Sequence, residues 1–197
     1  MGTRDGLALL ENGRWHSFHK KDGLSGEFIF SIREDPDGTM WVGTFDGGLT
    51  RLRNRKFQRV PDAAGFPAVT VFQVLEDRVG DLWVSSSTGI FRMNKQALND
   101  VIDGKRKDLP SVAYGIADGL ISRECNGGQP AGDIAPDGRL WFPTMKGLAV
   151  VQPASIVSNP LPPPVQVERF RADGKDYDLN AEVDLPAGSR NLEIQYT

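Results

Sequence analysis

Three stretches of this chain can be laid over one another, and that self-similarity narrows the fold more than any other property. FSIREDPDGTMWVGTFDGGLTRL (30–52), FQVLEDRVGDLWVSSSTGIFRM (72–93) and AGDIAPDGRLWFPTMKGLAVV (131–151) share one order of parts. Each runs from an apolar strand through a turn ending in Gly38, Gly80 or Gly138 to a Met or Leu, and then to Trp41, Trp83 or Trp141. A small-residue stretch follows, and then a glycine before an aliphatic: Gly48-Leu49, Gly89-Ile90, Gly147-Leu148. A partial copy, GLALLENGRW (6–15), opens the chain. Trp41 and Trp83 are 42 residues apart, the length of one four-stranded propeller blade.

Each part has a physical reading. In Asp35-Pro36-Asp37-Gly38, proline presets φ, Asp35 can bond forward to the backbone, and Gly38 can take the positive φ that closes a short hairpin. Asp77–Gly80 and Ala135–Gly138 hold the same place. Met40-Trp41-Val42 and Leu82-Trp83-Val84 are apolar at consecutive positions, so both faces of that strand are expected to be buried. Stacked blades bury both faces of their sheets, with the indole filling space between neighbours. The 22 Gly and 13 Pro also favour short strands and tight turns. The fold class expected is all-β: a partial β-propeller of about three and a half four-stranded blades.

Trp83 and Trp141 lie 58 residues apart, and the excess falls around NKQALNDVIDGKRKDL (94–109). There Ala97, Leu98, Val101 and Ile102 have helical spacing and Gly104 can end the helix, so one short helical insertion is expected near 94–104. Composition changes at NPLPPP (159–164), where four prolines in five residues make an extended, semi-rigid connector. Beyond it, strands are expected over Val165–Phe170 and Leu192–Tyr196, with a turn at Asp173-Gly174. The division expected is a propeller portion over 1–158, a linker over 159–164, and the truncated start of an Ig-like β-sandwich over 165–197, too short to enclose a core alone.

A net charge of −3 supplies no electrostatic footprint for nucleic acid or an anionic membrane. Lys105-Arg106-Lys107 is followed at once by Asp108 and reads as a solvated loop. The single cysteine, Cys125, rules out an internal disulfide and any multi-cysteine metal site. No apolar run reaches the roughly 18 residues of a membrane-spanning helix.

Chemistry is sought in the polar clusters and yields little. His16 and His19 sit three apart, on opposite faces of a strand, with no third ligand nearby. Ser85, Ser86 and Ser87 have no adjacent base and align with Gly43-Thr44. The pairs Glu34-Asp35 and Glu76-Asp77 recur at one strand-to-turn position, which favours turn chemistry over acid–base work. Gly47-Gly48 and Gly127-Gly128 do not lead into a phosphate-binding helix. No catalytic, cofactor-binding or metal-binding residue is assigned, and no cofactor is expected. Arg123, Glu124 and Asn126, in the non-repetitive segment, are the candidates for ligand contact, with loop locking the favoured role.

The DG-x-x-W-x-G-T-x-x-GL pattern resembles the two-component regulator propeller repeat. YGIADGLISRECNGG and DGRLWFPTMKGLAVVQP resemble the terminal blade of that family, and 162–164 through Leu192–Thr197 resembles the opening of the three-Y domain that follows it. The resemblance implies the periplasmic sensor portion of an inner-membrane bacterial receptor, whose output, a histidine kinase or a diguanylate cyclase, lies elsewhere in the parent. It also implies a small ligand such as a carbohydrate, contacts with the rest of the receptor, a homodimeric parent, and no catalysis in this fragment. Two other readings are a propeller enzyme, a lyase or hydrolase acting on a carbohydrate or cyclic peptide, and a structural interaction platform without a ligand.

Overall fold

A strand that is apolar on both sides needs a sheet against each face, and the first unit of the protein, Met1–Ile156, meets this with four antiparallel sheets. The computed structural model describes residues 1–67, 69–156, 166–179 and 182–197. The first blade holds β1 (Gly2–Thr3), β2 (Gly6–Glu11) and β3 (Arg14–Phe18). The second holds β4 (Ile29–Glu34), β5 (Met40–Thr44), β6 (Leu49–Arg53) and β7 (Lys56–Arg59). The third holds β8 (Val71–Glu76), β9 (Asp81–Ser86), β10 (Ile90–Asn94) and β11 (Ser111–Tyr114), and the fourth β12 (Asp133–Ile134), β13 (Leu140–Thr144) and β14 (Gly147–Val151). Within each blade, strands adjacent in sequence pair antiparallel, so the blades are meanders of 3, 4, 4 and 3 strands.

Apolar side chains alternate along the central strands and thereby sort into separate layers. Leu7, Val42, Leu52 and Phe57 pack between the first and second blades. Trp41 and Leu49 leave the opposite face of the second blade to meet Val74, Leu82, Val84, Phe91 and Met93 of the third. Trp83 and Ile90 then meet Leu140, Phe142 and Ala149 of the fourth. Trp41, Val42, Leu82, Trp83 and Val84 are all fully buried, as consecutive apolar positions require.

The insertion after β10 folds as α1 (Lys95–Ile102), inside the expected span. Asn94 caps it by accepting from the Ala97 amide at 3.0 Å, and Gly104 ends the segment at φ 73°. Ala97, Leu98 and Val101 face the core between the second and third blades.

The second unit, Val157–Thr197, contains β15 (Val167–Ala172), β16 (Lys175–Tyr177) and β17 (Leu192–Tyr196) in the order β16-β15-β17. Asp173 and Gly174, at φ 49° and 82°, form the tight turn between β15 and β16, as the sequence predicts. β17 coincides with its expected span and is exposed along its length. β15 covers the later part of its expected span and runs on to Ala172; Val165 and the proline-rich linker 159–164 lie outside the described residues.

Candidate functional site

The repeat is held by one small device. In the second blade Asp35 Oδ2 accepts from the Trp41 indole N–H at 2.9 Å, and in the third Asp77 Oδ2 accepts from the Trp83 indole at 2.8 Å. The turn aspartate of the third blade serves the backbone as well, Asp77 Oδ1 accepting from the Val79 and Asp81 amides, whereas in the second blade the turn amide of Thr39 is accepted by Asp37 at 2.9 Å rather than by Asp35. The fourth blade has Ala135 at this position, and Trp141 is only half-buried, with the Arg139 guanidinium over its ring at 5.3 Å. Gly38, Gly80 and Gly138, at φ 81°, 87° and 89°, close the hairpins, while Gly48, Gly89 and Gly147 open the next strands at φ 69°, 146° and 124°.

A second device was not visible in the alignment of small residues. Thr44, Ser86 and Thr144 end the tryptophan strands, and each hydroxyl donates to the carbonyl of the glycine across the turn: Gly48 at 3.1 Å, Gly89 at 2.8 Å and Gly147 at 2.8 Å. Each also accepts a turn amide. The residue before Thr44 is constrained by space instead: a Cβ on Gly43 would lie 2.5 Å from Ser31 Oγ and Val71 Cγ1.

Charged groups join the second and third blades. Glu76 binds Arg33 and accepts from Lys95 at 2.7 Å, and Lys95 also lies 3.3 Å from Asp35. Burial pushes the Glu76 carboxyl upward, but the hydrogen bonds from Lys95 and Arg33 outweigh it and hold the group below the usual glutamate range. Lys95 is raised in the same way, its bonds to Glu76 and Asp35 outweighing its burial. Of the acidic pairs singled out in the sequence, Asp35, Glu76 and Asp77 are thus committed to indoles, a turn and ion pairs. Arg51, 2% exposed, reaches α1 through Asn99 Oδ1 at 2.6 Å and Asp103, and its own hairpin through Gln58 at 2.9 Å.

The segment of Arg123, Glu124 and Asn126 stitches two blades together through its backbone. The Cys125 amide donates to Ser86 of the third blade at 3.1 Å, the Asn126 amide to Pro143 of the fourth at 2.8 Å, and the Met145 amide to the Glu124 carbonyl at 2.9 Å. All three predicted side chains are exposed. Arg123 borders a groove with Tyr114 and Asp118. Cys125 is buried, and that burial pushes its thiol up to about 11.

The continuation of this segment settles on aromatic side chains that carry the strongest candidate site. Phe30 and Phe72 hold the same place in their repeats, and at each the pairing register slips by one residue, between Ile29 and Ser31 and between Val71 and Gln73. Such a bulge re-aims the side chain it carries. The two rings meet edge-on at 5.1 Å. Phe28 stacks on Phe30 at 4.7 Å, and Phe45 sits 6.0 Å from Phe28 and 6.1 Å from Phe30. Gly127 presses against this cluster so closely that a Cβ would lie 2.6 Å from Phe30 and 2.7 Å from Phe72. Gln129 donates to the Phe30 carbonyl at 2.7 Å, and the Arg4 guanidinium lies 5.4 Å from the Phe28 ring centre. A groove of about 590 Å³ runs beside them, lined by Arg4, Phe28, Phe30, Ser31, Gly127 and Gln129. The predicted Arg123, Glu124 and Asn126 side chains are not among its walls. The legible signal was the phenylalanine recurring at the head of two repeats. Among the described residues no three metal-ligating side chains converge, and no helix is long and apolar enough to cross a membrane.

Residues 23–46, from the turn before β4 into the turn after β5, match the family model of the two component regulator propeller. Among curated proteins none matches the chain. Among solved structures, the extracellular domain of a protein described as a hybrid two component system, BT3049 from B. thetaiotaomicron, superposes with a TM-score of 0.67 at 22% identity, over 98% of this chain and 24% of that one. The extracellular domain of a second such system, BT4673 from the same organism, aligns over 83% of this chain and 25% of that one, at 16% identity and a TM-score of 0.42. The chain spans about a quarter of the length of these structures. Residues 23–46 carry the two component regulator propeller repeat, and the chain as a whole shares its fold with part of the BT3049 extracellular domain.

Proposed function

We propose that the chain is part of the periplasmic sensor region of a membrane-bound two-component receptor, and that it binds a small ligand without transforming it. The observation that carries this reading is the aromatic groove at Phe28 and Phe30 beside the Gly127–Gln129 loop. Apolar ring faces flanked by a guanidinium and an amide suit a ligand with a flat C–H face and a hydroxylated rim, a small saccharide above all. Because the loop over the groove is stitched to the third and fourth blades, occupancy at the groove would bias how blades and loop pack. A two-state receptor needs such a difference in affinity. The output, histidine kinase or diguanylate cyclase, and the inner-membrane anchor belong to the parent under this proposal.

The test is a thermal-shift screen of mono- and oligosaccharides on the intact chain. A ligand at one hundred times its Kd stabilises the folded state by about 2.7 kcal/mol, well above detection. The shift should vanish in Phe28→Ala and Arg4→Ala and survive in Arg123→Ala. A saccharide that shifts all variants equally, or a screen in which none shifts the parent, would overturn the reading.

A further inference from the structure

The backbone of segment 124–126 does the stitching between the third and fourth blades, which leaves the Arg123 side chain without a structural task. Elsewhere in the first unit guanidiniums are spent on carboxylates: Arg51, Arg59, Arg92 and Arg139 pair with Asp103, Asp62, Asp81 and Asp137. The Arg123 guanidinium has no hydrogen-bond or ion-pair partner among the described residues. Asp118 lines the same groove, but its Oδ2 accepts the Gly115 amide at 2.8 Å. The arginine is nevertheless held in place. A Cβ on Gly115 would lie 3.1 Å from Arg123 Nε, with Cγ and Cδ at 3.7 and 3.8 Å, so the stem runs along the glycine backbone. Gly115 is extended, at φ −144° and ψ −155°; what its bare Cα offers is room for the arginine rather than a left-handed turn.

The rest of the groove is mostly apolar. Its walls fall between residues 67 and 123, on the third blade and the connectors to either side of it, and bound about 320 Å³. Phe91, 3% exposed and edge-on to Phe66 at 5.4 Å, lines it with Pro67, Ala113 and Ala117. That volume is at the small end of ligand sites. An unpaired guanidinium beside apolar walls matches a carboxylate carried on an apolar body, because its fork of N–H donors takes both oxygens at once. The Asp118 carboxylate repels a second negative charge, which favours a monoanion over a phosphate ester.

We propose that this groove binds a small monocarboxylate, its carboxylate on Arg123 and its apolar body on Phe91, Pro67 and Ala113. The site shares no lining residue with the aromatic groove at Phe28 and Phe30, so either can fail without the other.

The experiment is an NMR titration of the isotope-labelled intact chain with benzoate, phenylacetate and cyclohexanecarboxylate, each beside its uncharged carboxamide. At least one acid should bind saturably and shift the Thr88, Ala113 and Gly115 amides. Its carboxamide should bind at least about tenfold more weakly, the fold-change for losing a charge-assisted pair. Arg123→Ala should weaken the acid by the same factor and leave the carboxamide unchanged, and Arg123→Lys should recover part of the loss. Gly115→Ala, which displaces the arginine stem, should weaken the acid several-fold, whereas Phe28→Ala should leave it unchanged. Arg123 is exposed, so its variants should keep the urea midpoint of the parent. Absence of saturable binding by all three acids, equal binding of acid and carboxamide, or an Arg123→Ala variant that binds the acid as the parent does would each overturn the proposal.

Discussion

Replacing Asp77 by alanine isolates the device that holds the tryptophan of the second and third blades. Trp83 is fully buried, and its indole N–H has Asp77 Oδ2 at 2.8 Å as acceptor. A buried donor left without a partner costs about 1–3 kcal/mol. Asp77 also accepts the Val79 and Asp81 amides; these lie at a partly exposed turn where water can replace the carboxylate, so their loss adds about 1 kcal/mol together. The expected destabilisation is about 2–4 kcal/mol. With urea slopes of about 2 kcal/mol per molar, the midpoint should fall by about 1–2 M. Asp77→Asn keeps an acceptor oxygen and should recover most of the difference. Ala135→Asp, which installs the missing aspartate in the fourth blade, should change stability by under about 0.5 kcal/mol, because half-exposed Trp141 has water as an alternative acceptor. An Asp77→Ala midpoint within error of the parent, or an Asn variant as unstable as the Ala variant, would refute the assignment.

Arg51→Met should destabilise by about 2–4 kcal/mol by removing the buried fork to Asn99, Gln58 and Asp103; hydrogen exchange should show α1 opening first, and unchanged α1 protection would contradict this. The Glu76 carboxyl is held below the ordinary glutamate value of 4.5, so its contribution is complete above that value and is lost as pH falls through the lower folded value. Glu76→Gln should therefore flatten the acid limb of stability against pH; an acid limb of unchanged slope would separate the ion cluster from acid sensitivity. Lys95, raised above 10.5, contributes stability that is complete below that pH and is lost as pH rises from it through the higher folded value, and Lys95→Met should remove this alkaline dependence. Cys125, buried with a thiol near 11, should be inert to a thiol reagent at pH 8 in the folded protein and react at once in urea; fast labelling of the native chain would place it at the surface.

The blade is legible in the sequence because its determinants are local. A turn with glycine at its end, three consecutive apolar residues and a second glycine specify a hairpin buried on both faces, whatever lies elsewhere. The same locality located α1 from Ala97, Leu98, Val101 and Ile102, and β17 to the residue. The hydroxyls of Thr44, Ser86 and Thr144 were present in the alignment, but their partners became identifiable only once the turn geometry showed the glycine carbonyls opposite. The candidate site was less legible. Phe30 and Phe72 recur in register, yet whether they face each other depends on a one-residue slip in strand pairing that leaves no mark on composition. Gly127 and Gln129 come to them from about a hundred residues away along the chain from Phe30, and the exposed polar side chains of the same loop drew attention instead. The repeating unit is written in the order of residues, because hydrogen bonding and burial within a hairpin are set by near neighbours. Which faces of those units are covered, which charges pair across blades and where the aromatic rings gather emerge on folding, because these follow from how sheets register against one another.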